Sequence, residues 1–147
     1  MGRVEEINIG PPETLPAPVE RVAAHAGKGL AGNRYYFEGG AEPGTALTLI
    51  AAEALEAMAA ENGIEITAAE SRRNVLTRGV DVNALVGKRF RIGDVECLGV
   101  QLCEPCTSLE AMTQPGVIKG LVHRGGLNAD ILSDGEIAVG DEVVGSS

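Results

Sequence analysis

The chain opens with alternating polar and apolar positions from Val4 to Ile9, broken by Gly10-Pro11-Pro12 and followed by a second short alternation from Val19 to Ala24. Period-two patterning puts one face of a strand in a core and the other in solvent, so both segments are predicted to be strands with a chain reversal between them. Further strands are expected at Leu47 to Ile50, Asn74 to Thr77, Lys88 to Ile92, Val95 to Leu102, Ala129 to Leu132, Glu136 to Val139 and Glu142 to Val144. Gly93-Asp94 reads as the turn of a hairpin, and Gly140-Asp141 as another tight turn. The period becomes clearly helical from Ala51 to Asn62, where Leu55, Met58 and Ala59 stand at helical spacing and Gly63 supplies a stop. Short helical turns are expected at Asp81 to Val86, Thr107 to Met112 and Val117 to Val122. Many short strands with few helices predict a mostly β, α+β fold of barrel or sandwich type. No repeat, low-complexity tract or linker interrupts the pattern, and 147 residues with 44% apolar content suffice for one core, so a single domain over 1–147 is expected.

Charge narrows the function classes. Twelve Lys and Arg against 21 Asp and Glu give a formal charge of −9, which argues against non-specific binding to nucleic acid or to anionic membranes. No apolar run approaches the roughly 20 residues of a membrane span, and the opening residues lack the apolar core of a signal peptide. The expectation is a cytoplasmic protein with neither nucleic acid nor membrane as a partner. Three cysteines without an export signal read as reduced thiols rather than a disulfide framework. Cys97, inside a strand-like run, reads as core filler.

The candidate chemistry centres on Cys103-Glu104-Pro105-Cys106, where an apolar strand gives way to a helix that Thr107 or Ser108 is expected to cap. Several readings of the pair stand side by side. A structural zinc site needs two more ligands, for which Cys97, His25 and His123 are the candidates. A thioredoxin-type redox pair belongs early in a chain of alternating strands and helices, whereas this one comes late in a β-rich chain. A single working thiolate, with the second cysteine tuning or resolving it, is the third reading; two cysteines filling a turn is the bland one. Nine of the twelve basic residues are Arg, whose planar fork grips phosphate or carboxylate. Arg72-Arg73-Asn74 precedes a strand and Arg124 follows His123, and if the fold gathers them near Cys106 they form a cationic pocket; otherwise each is a solvated charge. His123 is a candidate general acid or anion donor. No serine-hydrolase elbow or zinc-protease motif is present.

Together these pieces resemble the MOSC family, the molybdenum-cofactor sulfurase C-terminal domain. The resemblance is carried in order by Gly29-Leu30-Ala31-Gly32-Asn33-Arg34-Tyr35-Tyr36, Arg72-Arg73-Asn74-Val75, Leu85-Val86-Gly87-Lys88-Arg89-Phe90, Cys103-Glu104-Pro105-Cys106, His123-Arg124-Gly125-Gly126-Leu127 and Val139-Gly140-Asp141. It implies a β-barrel-like fold and a site for molybdenum cofactor. In that reading Cys106 is the metal ligand or sulfur carrier, Cys103 the lesser candidate, and His123 a further catalytic residue. Arg34, Arg72, Arg73, Asn74 and Arg124 would bind the cofactor, the arginines suiting its phosphate. The implied activity is reduction of N-hydroxylated compounds or sulfur transfer. A domain without fused desulfurase or ferredoxin-like parts would need a redox or sulfur-donor protein partner. The alternatives are a non-catalytic cofactor or sulfur carrier and a structural β-barrel without cofactor. Asn33 departs from the family's usual Gly-Asp-Arg-Tyr by replacing the acid. Pyridoxal phosphate has no support, since Lys28, Lys88 and Lys119 lie in no recognisable Schiff-base context.

Overall fold

The structure, a computed structural model, describes residues 2–145. In chain order the strands are β1 (Gly2–Ile9), β2 (Ala17–Val19), β3 (Arg21–His25), β4 (Gly29–Leu30), β5 (Leu47–Ala51), β6 (Val75–Arg78), β7 (Arg89–Ile92), β8 (Val95–Leu102), β9 (Leu127–Ile131), β10 (Gly135–Ala138) and β11 (Glu142–Gly145). The helices are α1 (Ala52–Asn62), α2 (Ala68–Ser71), α3 (Thr107–Met112) and α4 (Val117–Leu121), with a 3-10 turn at Val82–Leu85.

Seven strands run in the order β11-β7-β8-β9-β5-β6-β1, and β1 pairs back onto β11, which closes the sheet into a barrel. Closure removes the unpaired edges that an open sheet of this size would expose. The β5–β6 pairing is parallel, and its crossover carries α1 and α2. The second alternation near the start of the chain is not one strand: β2 extends the barrel sheet beside β1, whereas β3 joins β4 and β10 in a small second sheet. Between them Glu20 leaves the ladder and its carbonyl accepts the N–H of Val139.

Alternation does its expected work inside the barrel. Val4, Ile7, Leu49, Val75, Phe90, Cys97, Leu127 and Ile131 are fully or almost fully buried in one apolar cluster. Removing the Phe90 ring would cost about 3–5 kcal/mol. A second cluster of Ile50, Met58, Ile64, Leu109, Val117 and Leu121 seats the helices on the outside of the sheet. Helix α1 ends as its sequence predicts, with Gly63 at φ 67° returning its N–H to the Ala59 carbonyl. Helix α2 has no counterpart among the expected elements, although Thr67 and Glu70 cap it reciprocally. Among the described residues, no helix is long and apolar enough to cross a membrane.

One irregularity bears on the site. Along β8 and β9, Gly99 faces Ala129 and Gln101 faces Asn128, so Val100 is an extra residue in the ladder. Before this bulge, Val95, Cys97 and Gly99 are buried while Glu96 and Leu98 are only partly so; after it, Gln101 is exposed.

Candidate functional site

The site is built where β8 leaves the barrel. The Cys103 N–H still donates to the Gly126 carbonyl at 2.8 Å, and its own carbonyl is taken by Arg73 Nη2 at 2.7 Å. From there the chain runs through Glu104 and Pro105 without a turn or bend until Cys106, at φ −129° and ψ 171°, starts α3. The passage lies tight against Gly125, where a Cβ would come within 2.5 Å of the Cys103 carbonyl oxygen. The α3 cap differs from expectation: Cys106 itself, not Thr107 or Ser108, occupies the position, and no side chain bonds the helix start.

Cys103 and Cys106 open on a cleft of about 310 Å³ that is also lined by Arg34, Tyr35, Thr48, Arg72, Arg73, Asn74, Gln101, Glu104 and Asn128. That volume lies at the small end of the usual range for ligand pockets. Cys106 is exposed and Cys103 half-buried. Burial pushes the Cys103 thiol up, and the positive charges of Arg73 and Arg34 offset this only in part. Cys97 is sealed in the barrel, where burial pushes its thiol up to about 12.

Three arginines converge here. Arg73 is buried and spends its fork on backbone carbonyls, those of Gly125 (2.7 Å), Ser71 (3.1 Å) and Cys103 (2.7 Å). Its neighbour Arg72 ends α2 in the left-handed conformation, φ 61° and ψ 15°, and among the described residues its side chain reaches only a distant Thr14 carbonyl at 3.4 Å. Arg34 lays its guanidinium over the Tyr35 ring, 4.9 Å from the centroid. Among the described residues none of the three is ion-paired with a carboxylate, whereas Arg3, Arg21, Lys28, Arg78 and Arg124 all are. In a chain with a net charge of −9, such a local excess of cation suits an anionic ligand.

Asn74 underpins this wall. Its Oδ1 accepts from both the backbone N–H and the hydroxyl of Thr48, each at 3.1 Å, while its Nδ2 donates to the Asn8 carbonyl. The buried amide is thereby satisfied and serves as framework.

Two expected site residues lie elsewhere. Arg124 is not brought to the cleft: it faces a second depression lined by Glu53 and Asp81, and bonds the Gly120 carbonyl, Glu61 and Asn62. His123 stands in the left-handed region at φ 62° with its side chain 79% exposed, so its ring lies in solvent rather than in the cleft wall. It reaches the site through Glu104, whose carboxylate accepts the His123 backbone N–H at 2.7 Å and lies 2.9 Å from Nδ1. The backbone donor, followed by the imidazole, holds the Glu104 carboxyl below the usual carboxylate range. Arg72 and His123 are the only non-glycine residues of positive φ among the described residues. Such strain is tolerated where the surrounding structure enforces it.

The zinc reading finds no ligand set, since among the described residues no three His, Cys, Asp or Glu side chains converge. Sequence reasoning passed over Gln101, Asn128, Thr48 and Glu104. For Thr48 the signal was available, as it is the one polar position in an otherwise apolar strand.

Barrel and cleft together define a β-barrel protein with an arginine-rich, two-thiol pocket at the mouth of the sheet. The chain belongs to the MOSC domain family, which matches residues 25–144. No curated protein sequence matches it significantly. Among solved structures it is similar to the YuaD protein from Bacillus subtilis, with a TM-score of 0.85, 17% identity and coverage of 100% of this chain and 97% of that one. It is similar also to YiiM from Geobacillus stearothermophilus, with a TM-score of 0.77 and 20% identity over 100% of this chain and 76% of that one. YiiM from Escherichia coli gives a TM-score of 0.71 and 16% identity over 99% and 70%. At these identities the likeness speaks for the fold.

Proposed function

We propose that the cleft holds molybdenum cofactor, with Cys106 as the metal's protein ligand, and that the protein acts in reduction of N-hydroxylated compounds or in sulfur transfer. The observation that carries this reading is the gathering around the two thiols of Arg34, Arg72 and Arg73, which among the described residues pair with no carboxylate. The residues suit the group: a thiolate is a soft ligand fit for such a metal, and guanidinium forks match a phosphate. Cys103 is the reserve thiol behind Cys106. Arg34 and Arg72 would grip the phosphate, and Arg73 keeps the Cys103–Glu104 peptide in place.

Reduction of an N–OH group consumes two electrons and two protons and releases water, and the cofactor, when bound, supplies the two-electron chemistry. In sulfur transfer the exposed Cys106 Sγ would instead carry the sulfur. Either activity calls for a redox or sulfur-donor protein as partner, working with a one-domain cytoplasmic protein.

The test is metal and pterin content after expression in a host that makes molybdenum cofactor, comparing the wild-type chain with Cys106→Ala. Near-stoichiometric molybdenum that is lost in the variant is the expected result. Absence of both metal and pterin from the wild-type protein would overturn the reading. Turnover of a hydroxylamine with an artificial reductant then separates the two activities, because a carrier gives at most one equivalent of amine.

A further inference from the structure

The floor of the cleft is a row of polar side chains crossing the barrel strands. Asn74 stands just ahead of β6, Thr48 on β5 is hydrogen-bonded to it, Asn128 on β9 is the register partner of Thr48, and Gln101 on β8 is the register partner of Asn128. Residues directly opposite in an antiparallel pair present their side chains on the same face. Asn128 therefore leads straight to Gln101, and all four line the cleft.

The row has two halves. Asn74 and Thr48 satisfy each other, and Asn74 also bonds the Asn8 carbonyl. Asn128 and Gln101 make no side-chain hydrogen bond to any described residue, though each carboxamide offers a donor and an acceptor. The bulge at Val100 puts Gln101 there. Strict alternation from Val95, Cys97 and Gly99 would point Gln101 into the barrel, and the extra residue turns it out beside Asn128. Gly44, which has no side chain, closes over this spot, a Cβ there meeting Val100 at 3.4 Å and the Asn128 Cβ at 3.5 Å.

We propose that Gln101 and Asn128 form a ligand-reading pair, whose side-by-side carboxamides hydrogen-bond the edge of a planar group carrying an N–H next to a C=O, as in a carboxamide or lactam. Such an edge pairs donor to acceptor twice over, which a lone hydroxyl or a ketone does not. The pair then orients the ligand along the floor, while the arginines hold an anionic part and the thiols face the other wall. This inference rests on the cleft being the ligand site, as the proposed function requires, and not on the identity of the cofactor.

The test is titration of isotopically labelled full chain with benzamide as the probe, following the side-chain NH2 signals of Gln101 and Asn128 by NMR. Both should shift saturably, and acetophenone, which lacks the N–H, should bind more weakly. Gln101→Ala and Asn128→Ala should each weaken benzamide binding about three- to tenfold. Neither side chain is buried, so both variants should fold, which the dispersion of the backbone spectrum will verify; Gln101→Met repeats the test at nearly constant volume. The proposal is overturned if benzamide leaves both NH2 signals unmoved, or binds the double variant as tightly as the wild-type chain. A parallel titration with inorganic phosphate reads the arginines. Phosphate binding without benzamide binding removes the carboxamide pair alone, and binding of neither removes the cleft as a ligand site together with the pair.

Discussion

Arg73 donates to the Cys103 carbonyl at 2.7 Å, which ties the start of β6 to the point where β8 leaves the barrel. The same guanidinium holds Gly125 and Ser71, so three chain segments meet on one buried side chain. Its charge is neutralised by no carboxylate of the described chain, and its role is to fix the backbone on which the two thiols are mounted. Arg73→Met should therefore leave several carbonyls unpaired and cost about 3 kcal/mol or more in urea denaturation. It should also disturb both cysteines without touching either.

The thiols should react in the order of their exposure. With iodoacetamide at pH 8, Cys106 is expected to be alkylated first and Cys103 at least about tenfold more slowly, because burial pushes its thiol up. Cys97 should react only in denaturant. Peptide mass spectrometry reads the order, and faster labelling of Cys103 would make it, not Cys106, the working thiol.

Arg72 occupies a conformation that glycine adopts at no steric cost. Arg72→Gly should raise stability by about 0.5–1 kcal/mol, seen as a higher melting temperature, while phosphate binding weakens about tenfold or more. A variant both less stable and unchanged in phosphate affinity would show that Arg72 is held there for packing.

Cys97 should make the protein sensitive to alkali. Its folded-state value is raised to about 12 from an ordinary value of 9.0, by burial first and by Glu96 second. Below pH 9 the thiol is neutral in both states and the full stability is present; as pH rises toward 12, only the unfolded chain ionises and stability is lost. At pH 10.5 the loss should be on the order of 2 kcal/mol relative to pH 8. In Cys97→Ala that part of the slope should vanish, although the smaller side chain lowers stability at neutral pH. Urea midpoints at the two pH values measure the difference.

Most strands and the long helix could be read from the sequence because each was specified within a dozen residues, by alternation, by Gly63 as a stop or by a Gly-Asp turn. The motifs around Arg34, Arg72-Arg73-Asn74 and Cys103/Cys106 do converge, as their co-occurrence implied. Arg124 does not join them, because its direction is set by Glu61 and Asn62 on α1, far away in the chain. Gln101 escaped for a different reason: parity counting along β8 is valid only up to the bulge, and a bulge is a relation between two strands that neither strand's pattern contains alone. Cys106 as the α3 cap was hidden by the better capping chemistry of Thr107 and Ser108 next to it.

The pairing of β1 with β11 gives the molecule a particular history during synthesis. Of the barrel's own strands the first to be synthesised, β1, finds one of its partners only when β11 has followed, more than 130 residues later by sequence number. Until then one side of β1 and the facing side of β7 are open templates for any other extended chain. A nascent or truncated chain ending before Glu142 is thus not a smaller form of the protein but an adhesive one, and the last few residues of the barrel act as its seal.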